Sequence, residues 1–377
     1  MSDQIPLADL AAQHAAIRDI VMPAVQAVIQ RQHFIMGPEV AELERGIAAL
    51  SRVRHAIACA SGTDALLLPL KTLQLGPADE VITPAFTFPG TALAVHNAGG
   101  RPVFVDIDRK TFNLDPAGVA EAITPRTRAI IPVHLFGQMA PMEEVLRIAD
   151  RHGIPVLEDA AQAIGARRKM DGAWKMAGET GWAATLSFFP TKNLGAWGDG
   201  GMMLTQRDDL AERLRRLRVH GGLRKYHYEE VGTNSRLDTL QAAVLLAKLP
   251  FLAGWSEARR ERAAWYSERF AGHAEIVPPG VDPANEHIFH QYTIRVPRRD
   301  DLIRHLDANG IGCAVYYPLA LHLQPCFAHL GYREGSFPES EAATREVLAI
   351  PVYPELTSAQ QERVAETILT FYGRRAG

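Results

Sequence analysis

Short apolar runs alternate with helix-forming segments along the first half of the chain, and this alternation limits the fold more than any other feature. The runs end at Gly, Pro or Asp, which is typical of strand ends and turns. The predicted strands are His55–Cys59, Glu80–Thr83, Pro102–Asp106, Arg128–Pro132, Pro155–Glu158, Thr185–Phe189 and Gly201–Thr205. The predicted helices are Asp64–Gln74, Pro89–Ala98, Pro116–Ala122, Pro141–His152 and Asp208–Val219. This pattern predicts an α/β fold whose mainly parallel sheet is covered by helices on both faces.

Pro250 separates two longer predicted helices, and the rhythm changes after Pro278-Pro279-Gly280. Beyond this point helices and strands no longer alternate regularly, which is typical of an α+β unit. We therefore predict a large domain over residues 1–250 and a small C-terminal α+β domain over residues 251–377. The last predicted helix of the large domain is Ser235–Lys248. The predicted elements of the small domain are helices Phe251–Phe270, Arg299–Ala308, Glu339–Ala349 and Thr357–Tyr372, with strands Gln291–Val296 and Cys313–Tyr317.

Composition excludes several classes of protein. The formal net charge of −3 gives no footprint for nucleic acid. The cysteines are far apart and odd in number, Cys59, Cys313 and Cys326, which argues against both a disulfide framework and a zinc site. No apolar run is long enough to span a bilayer, and the first residues lack the pattern of a signal peptide. We expect a cytoplasmic protein with no bound metal and no membrane contact.

Two polar side chains follow predicted strands and suggest a specific chemistry. Lys192 lies shortly after one strand, and Asp159 comes directly after another. A lysine amine can form a Schiff base with an aldehyde, and an aspartate can hold a protonated pyridine nitrogen. Because ligands bind beyond the carboxyl ends of parallel strands, both residues lie where a cofactor is expected. The pair predicts a site for pyridoxal 5′-phosphate (PLP), with Lys192 and Asp159 as catalytic residues.

The segment Ser61–Leu66 is a candidate site for the phosphate group. It follows a strand and opens a helix, whose free N–H groups and dipole favour an anion. Gly62 allows close approach of the backbone, and Thr63 and Asp64 offer amide donors. The alternative is a helix N-cap with no ligand, since Ser, Thr and Asp favour that position.

Three more side chains complete the predicted cofactor site. Phe88 could stack on the pyridine ring, although a core phenylalanine is an equally good interpretation. Gln162, close behind Asp159, could donate a hydrogen bond to the phenolic oxygen of the cofactor. Ser187 could bind the phosphate through its hydroxyl. Glu158 is interpreted as a structural acid near its strand end and is left out of the catalytic set.

With these segments identified, the chain resembles the DegT/DnrJ/EryC1/StrS family of sugar aminotransferases over almost its whole length. The segments that carry the resemblance are Ile5–Leu10, Met36–Val40, Ser61–Leu66, Pro84–Phe88, Glu158–Gly165, Ser187–Gly195, Arg218–Gly221, Asn234–Asp238, Tyr316–Pro318 and Leu321–Pro325.

The resemblance implies a PLP-dependent transferase of fold type I, the aspartate aminotransferase-like fold, with a seven-stranded sheet in its large domain. It also implies a homodimer in which Asn234 reaches the cofactor of the neighbouring subunit. The roles given above to Gly62, Thr63 and Ser187 match the family pattern. The family's substrates are nucleotide-linked keto sugars, and the usual amino donor is L-glutamate.

The sugar position is less constrained by the sequence. Tyr317 and His322 lie in segments that resemble members aminating C3 of a 3-keto hexose, dTDP- or UDP-linked, and both are candidate substrate-binding residues. Ala320 stands where a proline is common. The alternatives are amination at C4, a PLP-dependent sugar dehydratase, in which histidine replaces the lysine, and a binding or regulatory protein. The basic stretch Arg167–Lys175 predicts a solvated hairpin or a contact with the diphosphate.

Overall fold

The structure is a computed structural model that describes residues 4–224 and 226–373. The α-helices within these ranges are α1 (Leu10–Arg31), α2 (Pro38–Ser51), α3 (Gly62–Thr72), α4 (Gly90–Asn97), α5 (Pro116–Ala122), α6 (Met142–His152), α7 (Asp208–Leu217), α8 (Thr239–Lys248), α9 (Leu252–Phe270), α10 (Arg299–Ala308), α11 (Pro338–Glu346) and α12 (Ser358–Tyr372). The strands are β1 (His55–Cys59), β2 (Glu80–Pro84), β3 (Arg101–Val105), β4 (Thr127–Ile130), β5 (Leu157–Asp159), β6 (Arg167–Met170), β7 (Ala173–Met176), β8 (Ala183–Ser187), β9 (Gly201–Thr205), β10 (Asn285–Glu286), β11 (Tyr292–Arg295) and β12 (Val347–Ile350).

The strands of the large domain form two ladders that meet between β4 and β5. One ladder has the order β1-β9-β8-β5 and the other β3-β2-β4. Parallel bridges Ile130–Val156 and Val133–Asp159 link them. Most pairs are parallel, as expected, but β9 runs antiparallel to both β1 and β8. The expected seven-stranded sheet is thus divided into one ladder of four strands and one of three, which are joined by isolated bridges.

Helices cover both faces of these strands because their apolar residues recur at helical spacing. On one face, Leu43 and Ile47 of α2 and Leu245 of α8 enter the largest core cluster. On the opposite face, Leu68 of α3 and Leu214 of α7 enter another. Each fully buried leucine contributes about 1.5–3 kcal/mol relative to an exposed one. This double cover leaves the carboxyl ends of the strands as the open edge of the sheet.

A separate core of buried residues holds the C-terminal part together. In and just before this part, the structure corrects three of the predicted helix and strand bounds. The predicted helix Glu339–Ala349 is two elements, because α11 ends at Glu346 and Val347–Ile350 pairs with β11 in an antiparallel ladder. The predicted strand Cys313–Tyr317 is reduced to one bridge, at Ala314. Helix α8 begins at Thr239 rather than Ser235. For Val347–Ile350, pairing with β11 outweighs the local preference for a helix.

The N-terminal segment spans both parts of the molecule. Ile5 is buried in the C-terminal core and forms a parallel bridge with Ile311. Helix α1, which the sequence analysis did not predict, packs on α8 of the large domain. The division at residue 250 is therefore crossed by residues at the start of the chain. No helix in the described ranges is both long and apolar enough to cross a membrane.

Candidate active site

A cavity of about 630 Å³ lies at the carboxyl ends of the strands, where the sheet is open. Its volume is within the usual range for a cofactor or small-molecule site. Predicted residues that line it are Gly62, Thr63, Phe88, Asp159, Gln162, Ser187, Lys192 and Tyr317. Asp64, Asn234 and His322 are not among the described residues that line it.

Lys192 reaches the cavity from the tight turn that follows β8. The turn is closed by a hydrogen bond from the Lys192 amide to the Phe189 carbonyl at 2.8 Å. Burial lowers the pKa of the Lys192 amine to about 8, and the charge of Asp159 offsets part of this shift. A lysine in this range is a usable nucleophile and proton carrier near neutral pH.

A second lysine supports the same turn from behind. Lys248 is only 2% exposed, and its Nζ donates to the Gly195 carbonyl at 2.7 Å. A side chain at Gly195 would meet the Pro190 carbonyl oxygen at 2.1 Å, so only glycine fits there. Nothing in the sequence pattern identified Lys248, because the contact joins residues far apart in the chain.

Asp159 ends β5 with its carboxylate facing the cavity. Oδ2 accepts from the Thr91 hydroxyl at 2.8 Å, and Oδ1 accepts from the Ala161 amide at 3.2 Å. Burial raises the pKa of Asp159, although Thr91, the Ala161 amide and the charge of Lys192 act in the opposite direction. A buried carboxylate of this kind gains most from a cationic partner in the cavity.

Gln162 is held with a defined amide orientation. Its Oε1 accepts from the Phe136 backbone N–H at 2.8 Å, so its Nε2 must be on the side of Tyr317, to whose hydroxyl it donates at 3.0 Å. Because an amide nitrogen has two N–H groups, one remains for a ligand oxygen. This placement agrees with a donor to a phenolic oxygen.

Glu158, interpreted from the sequence as structural, is the centre of a buried network behind the site. Its Oε2 accepts from His134 Nε2 at 2.8 Å and from the Gly178 amide at 2.8 Å. His134 Nδ1 accepts from the Ala140 amide at 3.1 Å, which places the imidazole proton on Nε2. Burial would raise the pKa of Glu158, but His134 and the backbone amides hold it below its ordinary value. Glu158 therefore anchors the strand that presents Asp159.

The amino terminus of α3 forms the opposite end of the cavity. Ser61 caps the helix, with its hydroxyl accepting from the Asp64 amide at 3.1 Å. A Cβ at Gly62 would lie 2.8 Å from Cβ of Ser187, so these two segments are in close contact. The geometry suits an anion held by the first helical amides and the Ser187 hydroxyl.

Asp64 and Asn234 do not belong to this candidate anion site. The Asp64 amide is engaged by the Ser61 cap, and the Asp64 carboxylate accepts from the Ser235 hydroxyl at 2.7 Å. Asp64 thus ties α3 to the loop before α8 instead of offering a free amide donor. Asn234 is exposed beside Ser235.

The aromatic side chains of the cavity lie near its mouth. Phe88 is 56% exposed, which excludes the core interpretation, and its ring centroid lies 6.2 Å from that of Tyr317. His322 is different, because it is 1% exposed and its Nε2 is hydrogen-bonded to Glu341 at 3.0 Å. His322 therefore does not line the cavity, and its role in binding substrate stays a prediction.

The basic stretch forms the hairpin β6–β7, and acids of the same chain neutralise much of its charge. Arg168 is buried between Glu143 and Asp282, at 2.6 and 2.7 Å. Arg167 pairs with Glu286 at 2.7 Å. These pairs support the interpretation as a structural hairpin over a contact with diphosphate.

The residues fit PLP by the chemistry of their donors. An amine with a lowered pKa, a buried carboxylate with a raised pKa and a helix amino terminus surround one cavity. These groups match the aldehyde, the pyridine nitrogen and the phosphate of the cofactor, respectively. No group of His, Cys, Asp and Glu among the described residues could hold a metal ion.

Comparison with known proteins gives an independent view of the chain. The model of the DegT/DnrJ/EryC1/StrS aminotransferase family matches residues 16–369. A protein of Geobacillus stearothermophilus named "Pleiotropic regulatory protein" is 52% identical over 98% of each chain. The UDP-N-acetyl-3-dehydro-alpha-D-glucosamine 3-aminotransferase of Acidithiobacillus ferrooxidans is 44% identical over 97% of each chain. The crystal structure of DesV from S. venezuelae superimposes with a TM-score of 0.95 at 42% identity, covering 98% of this chain and 99% of that one.

Proposed function

We propose that this chain, which belongs to the DegT/DnrJ/EryC1/StrS aminotransferase family, is a PLP-dependent enzyme that transfers an amino group from L-glutamate to a nucleotide-linked 3-keto hexose. The observation that carries this proposal is the single cavity that brings Lys192, Asp159 and Gln162 together. Support for C3 comes from the similarity to a 3-aminotransferase acting on a UDP-linked sugar.

The side chains divide the work of binding and proton transfer. When bound, PLP supplies an aldehyde that accepts amines and a ring that withdraws electrons from the reacting carbon. Lys192 holds this group through Nζ and moves the substrate proton at the same atom. With a pKa of about 8, about a tenth of the unbound amine is neutral at pH 7. The lowered pKa therefore makes the residue reactive without an additional base.

Asp159 and Gln162 orient the cofactor from two sides. The Asp159 carboxylate, fixed by Thr91 and the Ala161 amide, stabilises a proton on the pyridine nitrogen. The free N–H of Gln162 Nε2 would donate to the phenolic oxygen of the bound cofactor, since Phe136 fixes the other end of the amide. Phe88, which lines the cavity, would cover one face of the pyridine ring of the bound cofactor.

A homodimer completes the proposal. Asn234 is exposed and does not line the cavity of its own chain, so it is free to reach the phosphate bound in a second copy. We place the enzyme in the cytoplasm, where the free thiols Cys59, Cys313 and Cys326 would remain reduced.

The half-reaction with the donor is the direct test. Protein loaded with PLP is mixed with L-glutamate, and the absorbance of the lysine-bound cofactor is followed together with the release of 2-oxoglutarate. We expect one 2-oxoglutarate per site and no reaction in Lys192→Ala. Borohydride reduction followed by peptide mapping should place the cofactor on Lys192, and a label elsewhere would refute the assignment.

The sugar is tested by running the reaction in reverse. Amino sugars carrying the amine at C3 or at C4, linked to dTDP or UDP, are offered with 2-oxoglutarate, and the glutamate formed is measured. Turnover with C3 amines supports the proposal, whereas turnover restricted to C4 amines would assign the alternative. Dehydration of a keto sugar that survives in Lys192→Ala would indicate a dehydratase. Tight PLP binding with no turnover of any amine would favour a regulatory protein.

A further inference from the structure

A smaller cavity opens beside the cofactor site, and no role has been given to it above. This annex has a volume of about 270 Å³ and includes Leu7, Ala8 and Arg259 in its wall. It shares Thr191, His290, Gln291 and Tyr316 with the cofactor cavity. The two spaces therefore lie side by side next to the turn that carries Lys192.

Arg259 is the unusual feature of the annex. It is 7% exposed, yet no carboxylate pairs with it among the described residues. Its Nη1 donates to the carbonyls of Phe289 and His290, both at 3.3 Å, and of Val352, while its Nε has no hydrogen-bond partner in that part of the chain. A buried cation without an anionic partner is costly, because carbonyl dipoles do not neutralise its charge.

The acid Glu355 acts on Arg259 without forming an ion pair with it. Burial lowers the pKa of Arg259 to about 10, and the acid Glu355 and the cation Arg262 act on it in opposite directions. Arg259 therefore remains protonated at pH 7. Burial, together with the charges of Lys192 and Arg259, holds the pKa of His290 well below its ordinary value, so the imidazole is neutral. Among the described residues that line the annex, Arg259 is thus the one charged side chain, and no acid is among them.

The main cavity offers no comparable cation for a substrate. Among its described lining residues, Lys192 is the sole lysine or arginine, and the cofactor occupies its amine. An amino donor with carboxylate groups must nevertheless place its amine beside Lys192. A guanidinium in an adjoining space is suited to one of these carboxylates, since the Nη2 group of Arg259 is not used by the three carbonyls that accept from Nη1 and can make a charge-assisted hydrogen bond.

We infer that Arg259 binds a carboxylate of the amino donor in the annex, with Thr191, Gln291 and Tyr316 as polar neighbours. This inference rests on the proposed aminotransferase function and adds the residue that selects an acidic donor. A carboxylate on the sugar is the other possible source of the same chemistry, and the experiment separates the two.

The test uses glutarate, a dicarboxylate that has no amine and cannot be turned over. Its affinity is measured by calorimetry with the PLP-loaded and the PLP-free protein. We expect Arg259→Met to weaken binding by about 30-fold and Arg259→Lys by less, as for the loss of charge-assisted hydrogen bonds. Arg260→Met is the matched control, because Arg260 lies on the same helix and pairs with Glu257 and Glu286. It should bind glutarate as the wild type does.

Kinetics then separate the two sources of a carboxylate. Arg259→Met should raise KM for L-glutamate and leave KM for the sugar unchanged, whereas the reverse pattern would assign the annex to an acidic sugar and overturn the inference. If the wild type transaminates glutamate and Arg259→Met binds glutarate equally well, the annex assignment fails and the function stands. If glutarate binds at Arg259 but no amine is transferred, the function fails and the site stands.

Wild-type crystals soaked with glutarate provide a measurement that needs no variant, in case Arg259→Met does not fold. A carboxylate about 3 Å from the Arg259 guanidinium is the expected result. Glutarate bound to a side chain of a second subunit or at the amino terminus of α3 would overturn the inference.

Discussion

Replacing Glu158 by glutamine tests the network that supports Asp159. Oε1 accepts from the Thr180 amide, the Thr180 hydroxyl and the Gly181 amide, and Oε2 accepts from His134 and the Gly178 amide. A glutamine keeps one acceptor oxygen and turns an N–H₂ group toward the remaining donors. His134 cannot adapt by moving its proton, because its Nδ1 already accepts from Ala140.

The expected loss follows from the donors left without a partner. If the glutamine oxygen takes the place of Oε1, the two donors to Oε2 are stranded in a fully buried site. Each buried unsatisfied donor costs about 1–3 kcal/mol, so the free energy of unfolding should fall by roughly 2–6 kcal/mol. Thr180→Val is the control, since it removes one donor of several and should cost about 1 kcal/mol.

The dependence on pH has a defined sign. The pKa of Glu158 is lower in the folded protein than its ordinary value of 4.5. The carboxylate therefore contributes stability that is fully present above pH 4.5 and lost as the pH falls through the folded value. The difference between wild type and Glu158→Gln should be largest at pH 7 and should shrink below pH 4.5.

Urea unfolding of the PLP-free proteins at matched concentration measures both quantities, since bound cofactor would add its own stabilisation. A loss under about 1 kcal/mol at pH 7 would contradict the count of stranded donors. A difference that is the same at pH 4 and pH 7 would contradict the assignment of the charge.

Three further outcomes test the site itself. Gly62→Ala should weaken PLP binding about tenfold or more, because the new Cβ meets Ser187. Absorbance titration with PLP measures the affinity, and an unchanged value would contradict the close contact of these two segments. Lys248→Met should slow the covalent attachment of PLP to Lys192, because the Gly195 carbonyl loses its donor. Stopped-flow absorbance measures this rate, and an unchanged rate would show that the turn does not need the Lys248 contact. In the PLP-free protein, the rate at which an aldehyde attaches to Lys192 should rise with pH to a midpoint near 8; a midpoint near 10.5 would show an amine with its ordinary pKa.

Local pattern was sufficient for much of the large domain. Helix α5 and strands β1 and β9 have the predicted bounds, because Pro, Gly and Asp mark their ends and their apolar residues are contiguous. Lys192 and Asp159 were identified because both follow apolar strands whose carboxyl ends converge. The lysine, the acid and the helix amino terminus line one cavity for the same reason.

The features that were not predicted depend on distant contacts. Val347–Ile350 follows a charged helical run, and only its pairing with β11 makes it a strand. Helix α1 buries little beyond Ile17, Val21 and Val28, which is too narrow a stripe to stand out in the sequence. His134 is separated from Glu158 by a whole helix, so no spacing rule connects them.

The N-terminal segment that begins at the first described residues connects the C-terminal part of the molecule to helix α8. The Ile5 amide donates to the Gly310 carbonyl and the Ile5 carbonyl accepts from Gly312, both at 2.8 Å, while α1 remains clamped against α8. A rotation of the C-terminal part relative to the sheet would have to move this N-terminal segment with it or break both Ile5 hydrogen bonds. Leu7 and Ala8 belong to the same N-terminal segment and line the annex together with Arg259. The width of the annex would therefore change with such a rotation.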